Sequence, residues 1–186
     1  MEKITTETLV KKIPVEKCWE ITAKILTTLI ALRGSKPIAP LLGTVEGVFA
    51  PVWGWEKYLE INTKIFGEGG KKFIPWVLKT FNISVEDAVG AAKLNIVASV
   101  IAFGPDMKSE IIKATPERAT IRTIKCPFGD NNKKFGYKPE LWVCPTAHQV
   151  RWEEGLKEIN PKLIFKLTKA LPRDPFCEAT IEFKGD

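Results

Sequence analysis

The sequence predicts an α+β domain, with a helical N-terminal layer packed with a small antiparallel β-sheet and C-terminal helices. Three observations carry that expectation. Helical periodicity dominates up to about residue 105, two β-branched runs follow at 108–126, and an alternating segment closes the chain at 176–184. Helices laid on one face of an antiparallel sheet satisfy that order. The 186 residues suffice for one domain with a sizeable core. We expect a single domain over 1–186, mainly helical over 1–105. The hairpin–helix–strand part over 106–186 is then the ligand- or metal-binding part.

Each element has a local reason. VEKCWEITAKILTTLIALR, 15–33, places Ile21, Ile25, Leu29 and Leu32 at helical spacing and stops before Gly34, with Cys18 as packing near its start. The breaker-rich 34–54 predicts an ordered connection. Helices are expected over 55–66 and 71–80, separated by a turn at GEGG, 67–70. That cluster completes neither GxGxxG nor GxxxxGK[ST]. Ser84 and Asp87 suggest a capping box for a helix over 85–103. Its small residues, among them Ala91, Ala92, Ala98, Ser99 and Ala102, allow either close packing or room for a ligand.

KSEIIKA at 108–114 and ATIRTIKC at 119–126 read as a hairpin turned by TPER. A loop is expected over 127–141, then helices over 145–158 and 161–170 divided at Asn160–Pro161. In FCEATIEFK, 176–184, residues Cys177, Ala179, Ile181 and Phe183 share one strand face.

Composition narrows the function classes. The chain is 45% hydrophobic with six tryptophans and ten phenylalanines, as a packed interior requires. The formal charge of +6 is spread evenly, 13 basic against 10 acidic residues up to residue 93 and 15 against 12 beyond it. No basic tail or cluster suggests a nucleic-acid partner, whereas an anionic small ligand is compatible. MEKITTETLVKKI lacks the apolar core of a secretory signal, and the longest apolar run, IVASVIAF at 96–103, is too short to span a membrane. A cytoplasmic protein without membrane insertion is expected, with homodimerisation left open. In a reducing compartment its four cysteines serve packing, redox chemistry or metal binding.

The most chemical stretch is CPTAHQVRW, 144–152, which contains the only histidine. Pro145 suits the first turn of a helix, which puts Cys144 near its N-terminus and His148 one turn later. Three roles follow. Cys126, Cys144, His148 and Cys177 could form a Cys3His set, for which zinc fits better than iron or an iron–sulfur centre. Cys144 could instead be a nucleophile with His148 as its base, oriented by Glu153, Glu154 or Glu178. The third role is structural packing. Arg151 and Arg173 could each meet a carboxylate ligand through a bidentate contact, or be surface charge. Trp142 and Trp152 could line an aromatic cavity or pack the core.

The arrangement CPTAHQVRW followed by NPKLIFKLTKALPRDPFCEATIEF resembles the L-2-amino-thiazoline-4-carboxylic acid hydrolase-like family, and also looks like the end of 4-vinyl-reductase small-molecule-binding domains. The pieces that match are Cys144, His148, Asp174, Pro175, Cys177 and Glu178, with Arg173–Asp174 where a Gly-Asp pair is expected. The resemblance spans 108–184. It implies an α+β ligand-binding scaffold, with hydrolysis of an amide or cyclic C–N bond in the hydrolase-like branch. The resulting expectation is a small-molecule-binding protein with a Cys/His metal site, with hydrolysis as the reaction class if it turns a substrate over. Its alternatives are a metal-independent Cys144/His148 hydrolase, a non-enzymatic ligand sensor or a structural subunit.

Overall fold

The computed structural model describes residues 4–10, 55–134 and 144–184. The helix expected over 15–33, the connection over 34–54, Cys18 and Trp142 lie outside the described residues. In chain order the elements are α1 (Thr6–Val10), α2 (Trp55–Thr80), α3 (Ala88–Phe103), β1 (Lys108–Thr115), β2 (Arg118–Lys125), α4 (Pro127–Lys134), α5 (Cys144–Lys157), β3 (Leu163–Lys169) and β4 (Cys177–Phe183). The fold is α+β, with helices packed against a four-stranded antiparallel sheet of order β1-β2-β4-β3. Among the described residues no helix is long and apolar enough to cross a membrane.

Helix α3 lies on the sheet and carries its core. Asp87, rather than Ser84, is the N-cap: its carboxylate accepts from the Gly90 N–H at 2.7 Å. Gly104 ends the helix at φ 93°, a left-handed value that glycine adopts without cost, and its N–H donates to the Val100 carbonyl. Between these caps nearly every side chain is buried. Leu94, Ile96 and Ile101 meet Ile181 of β4 and Phe165 of β3 in one apolar cluster.

Both exposed sheet edges are partly covered. Thr5 bridges to Glu110, and the Ile111 N–H donates to the Ile4 carbonyl, so the N-terminal segment tacks onto β1. On the other edge, the Gln149 side chain of α5 docks onto β3. Its amide accepts from the Leu167 N–H at 2.6 Å and donates to the Phe165 carbonyl at 3.0 Å. The side chain thus bonds the free edge as a further strand would.

Three expectations are corrected. The GEGG cluster is no turn, because α2 runs unbroken through it. Gly67 and Gly70 lie on the face that meets α5. A Cβ at Gly70 would come within 2.2 Å of the Arg151 carbonyl oxygen, and one at Gly155 within 2.4 Å of Ile74 Cγ1. The glycines are there for backbone approach. Second, 161–170 is not a helix but contains β3. Asn160 folds the chain into it, accepting from Lys162 N–H through its side chain and from Leu163 N–H through its carbonyl. Leu163 and Phe165 then alternate inward. Third, the start of the expected loop is helical: Pro127 opens α4, the position its ring favours.

Candidate ligand recess and the cysteine–histidine region

Residues Ala147, His148, Arg151 and Trp152 form one stripe of α5 and face a recess between the helices. Across from them stand Phe66 and Phe73 of α2, and Ala98, Ser99, Ala102 and Phe103 of α3, with Phe128 of α4 at one end. The small residues of α3 therefore divide their work. Ala91 and Ala92 are sealed in the core, while Ala98, Ser99 and Ala102 line the recess. Its cavity volume is about 50 Å³, several times the roughly 10–15 Å³ that one water needs.

Two polar side chains interrupt this apolar wall. His148 stacks on Phe165 at 5.8 Å between ring centroids, and Trp152 stacks on the same ring at 6.0 Å. Burial, helped by the neighbouring Arg151 charge, pulls the His148 pKa down from 6.5 to about 4, so its imidazole is neutral at pH 7. Arg151 places its guanidinium 4.4 Å from the centroid of the Phe73 ring. Burial lowers its pKa to about 10, which still leaves it charged at neutral pH.

Behind the imidazole lies a second, much smaller compartment of about 10 Å³, lined by His148, Asn95, Thr123, Cys177 and Glu178. The Asn95 Nδ2 is fully buried and meets no acceptor among the described residues. Glu178 is already engaged, accepting from Arg122 Nε at 3.2 Å and Nη2 at 2.9 Å.

Of the four residues expected around a metal, Cys126, His148 and Cys177 have described side chains. Cys126 and Cys177 are both buried free thiols, and Cys126 is among the groups that act on Cys177. Burial raises both thiol pKa values. Backbone N–H groups of Phe128 and Gly129 at Cys126, and of Leu171 at Cys177, offset part of that rise. His148 shares the small compartment with Cys177 and faces the recess with its other side. Cys144 opens α5. Among the described residues no three His, Cys, Asp or Glu side chains gather as a metal set.

Arg173 stands apart from the recess. It is largely exposed and donates to Asp174 Oδ2 from Nε and Nη2 at 3.1 and 3.0 Å. That carboxylate also accepts from the Ala170 N–H, which holds its pKa low. Arg173 and Asp174 are thus paired locally, while Leu171, Pro172 and Arg173 border a separate open groove against α5. Glu153 is bonded by Gln149, and Glu154 pairs with Lys157 and Lys71.

Asn95, Gln149, Phe66 and Phe73 were not singled out by sequence reasoning. For Asn95 the signal was available, since it is a lone amide inside an otherwise apolar run, LNIVASVIAF. Phe66 and Phe73 fall seven residues apart, two helical turns, once α2 is read as one helix.

No family model matches this chain, and no curated protein does. Solved structures do resemble it. The phenol-responsive sensory domain of the transcription activator PoxR, crystallised with phenol, superposes with a TM-score of 0.54 at 11% identity. It covers 77% of this chain and 73% of that one. A trafficking protein particle complex subunit 3 from Naegleria fowleri, covalently bound to palmitic acid, gives a TM-score of 0.41 at 13% identity over 94% and 97% of the two chains. The likeness to the sensory domain is one of fold.

Proposed function

We propose that the chain is a small-molecule-binding domain that senses its ligand without turning it over, the ligand lying in the recess between α2, α3 and α5. The observation that carries this reading is the recess itself, walled by aromatic rings and Ala/Ser positions, with two polar side chains on one wall. Concave, mainly apolar sites with few polar groups are what small ligands favour. The fold shared with a phenol-responsive sensory domain supports the same reading, as does the resemblance to 4-vinyl-reductase-type binding domains. Catalysis through His148 is disfavoured on chemical grounds. A base whose pKa is held near 4 draws a proton from a thiol only weakly at neutral pH.

The test is native mass spectrometry of the purified protein together with thermal shifts against a panel of small aromatics, both neutral and anionic. Ligand-dependent stabilisation that disappears in Ala102→Phe, a folded variant with the recess filled, supports the reading. No mass adduct and no shift with any compound would remove it.

A second reading concerns metal. Cys126 and Cys177 are both buried thiols, with Cys126 acting on Cys177, which favours their serving as two ligands of a zinc site, with Cys144 and His148 as the remaining candidates. Elemental analysis of protein purified under reducing conditions decides it. Stoichiometric zinc lost in a folded Cys177→Ala variant supports the site; a metal-free protein that takes up no zinc removes it.

A further inference from the structure

We propose that the recess selects a compact monocarboxylate, whose carboxylate pairs with Arg151 while its apolar body lies among Phe66, Phe73 and Phe103. This inference rests on the reading of the recess as a ligand site.

The first ground is charge. Arg151 is only partly exposed, lines the recess, and no carboxylate among the described residues pairs with it. Its guanidinium lies over the Phe73 ring instead. A cation over a ring face keeps its in-plane N–H groups for other partners. A guanidinium in an apolar wall is costly until an anion meets it, and a planar carboxylate matches its fork with two parallel hydrogen bonds.

The second ground is the neighbouring polar groups. His148 precedes Arg151 by nearly one turn on the same stripe, and its neutral imidazole can donate one N–H. On the other side of that imidazole, Asn95 is 5% exposed and its Nδ2 donor is unpartnered among the described residues. The acid that shares this compartment, Glu178, is committed to Arg122. The recess side of His148 thus presents a guanidinium without a carboxylate partner beside an imidazole able to donate, while the unpartnered Asn95 amide lies in the compartment behind the ring. A carboxylate supplies acceptors and charge together, whereas an amine would add donors and repel Arg151.

The third ground is shape. A cavity volume of about 50 Å³ encloses only a few waters, so the recess favours a compact ligand, with part of even a single ring lying at its mouth.

The experiment compares benzoate with benzamide, its uncharged counterpart of the same shape, by calorimetric titration into the full chain. Titrations are repeated with Arg151→Met and Arg151→Lys. The wild-type chain is expected to bind benzoate at least tenfold more tightly than benzamide. Arg151→Met should abolish that preference by weakening benzoate, with benzamide unchanged, and Arg151→Lys should restore part of it. Equal or tighter binding of benzamide by the wild type overturns the carboxylate inference while the ligand-site reading stands. A preference that survives in Arg151→Met overturns it too. If neither compound binds but neutral aromatics still give thermal shifts, the inference alone fails. If nothing binds at all, both readings fall. A wild-type chain without the preference overturns the inference whether or not a variant folds, and a preference undiminished in Arg151→Lys does so where Arg151→Met does not fold.

Discussion

Helix α5 meets its surroundings in two contrasting ways within two turns. At Gly155 and along the backbone of Arg151 it is pressed onto α2, with Ile74 and Gly70 filling the approach. On the stripe formed by Ala147, His148, Arg151 and Trp152 it stands back and leaves a recess. Small residues border both regions, so their presence alone does not determine which results. At the tight contact glycines sit on both helices, and the backbones come together. At the recess Ala98, Ser99 and Ala102 of α3 look across at rings and a guanidinium, which rim the space without filling it. Here glycines on both helices bring the backbones together, whereas small residues set against rings and a guanidinium leave a recess.

The severest way to break this contrast is at Gly70. The added Cβ of Gly70→Ala would sit 2.2 Å from a carbonyl oxygen, with backbone rather than a flexible side-chain tip as its neighbour. Helix propensity favours alanine by about 1 kcal/mol, but overpacking of this kind costs about 3 kcal/mol or more. We expect a net loss of at least about 2–3 kcal/mol in urea unfolding, or a chain that fails to fold. A Gly69→Ala control, where nothing lies within 4 Å, should be neutral or stabilising. A Gly70→Ala protein as stable as the wild type would show that α2 and α5 are not in this contact.

The second test acts on His148 through pH. Its pKa is about 4 in the folded chain against 6.5 for the ordinary side chain. Between those values the unfolded chain holds the extra proton, so stability falls as pH drops from 6.5 towards 4 and levels off below. A fully buried ring would account for about 3 kcal/mol; because part of the residue reaches solvent, we expect about 2 kcal/mol. His148→Phe preserves a ring against Phe165 and should flatten the profile over this window. Equal slopes for the two proteins would mean the imidazole is not desolvated.

These features differ in how far the sequence reveals them. The hairpin, α3 and β4 are local: β-branched runs, an apolar helix between caps and a period-two pattern each announce themselves without knowledge of a partner. GEGG does not, because Gly67 and Gly70 answer to Val150 and Arg151, some 80 residues away in the chain. Leu163, Phe165 and Leu167 do alternate, yet Asn160–Pro161 suggested a helix boundary just as readily as a turn into a strand. His148 and Arg151 were visible as neighbours on one helix. Their pairing with Phe66, Phe73 and Asn95 required the tertiary arrangement that sets α2 and α3 opposite α5.

A smaller effect is expected at Gln149, which holds α5 to the edge of β3 beside the recess. Gln149→Met keeps the side-chain length but leaves the Leu167 N–H and Phe165 carbonyl without their partner. Water can reach this edge, so the loss should be about 1 kcal/mol. Faster amide exchange at Leu167, with α3 amides unaffected, would place the effect at the edge. Unchanged exchange there would mean the side chain does not close it.

The smallest expected change in stability is also the sharpest test of the comparison. Ala102 is exposed at the mouth of the recess, near the C-terminal end of α3. A phenylalanine there displaces no core atom and costs helix propensity of only about 0.5 kcal/mol, part of which its contact with neighbouring rings returns. Ala102→Phe should therefore melt within about 0.5 kcal/mol of the wild type while losing ligand-dependent stabilisation. The Gly70 substitution should do the opposite, costing at least about 2–3 kcal/mol through a single methyl group. If Ala102→Phe were as damaging as Gly70→Ala, the recess would be packing that the chain needs, and its openness would have no bearing on a ligand.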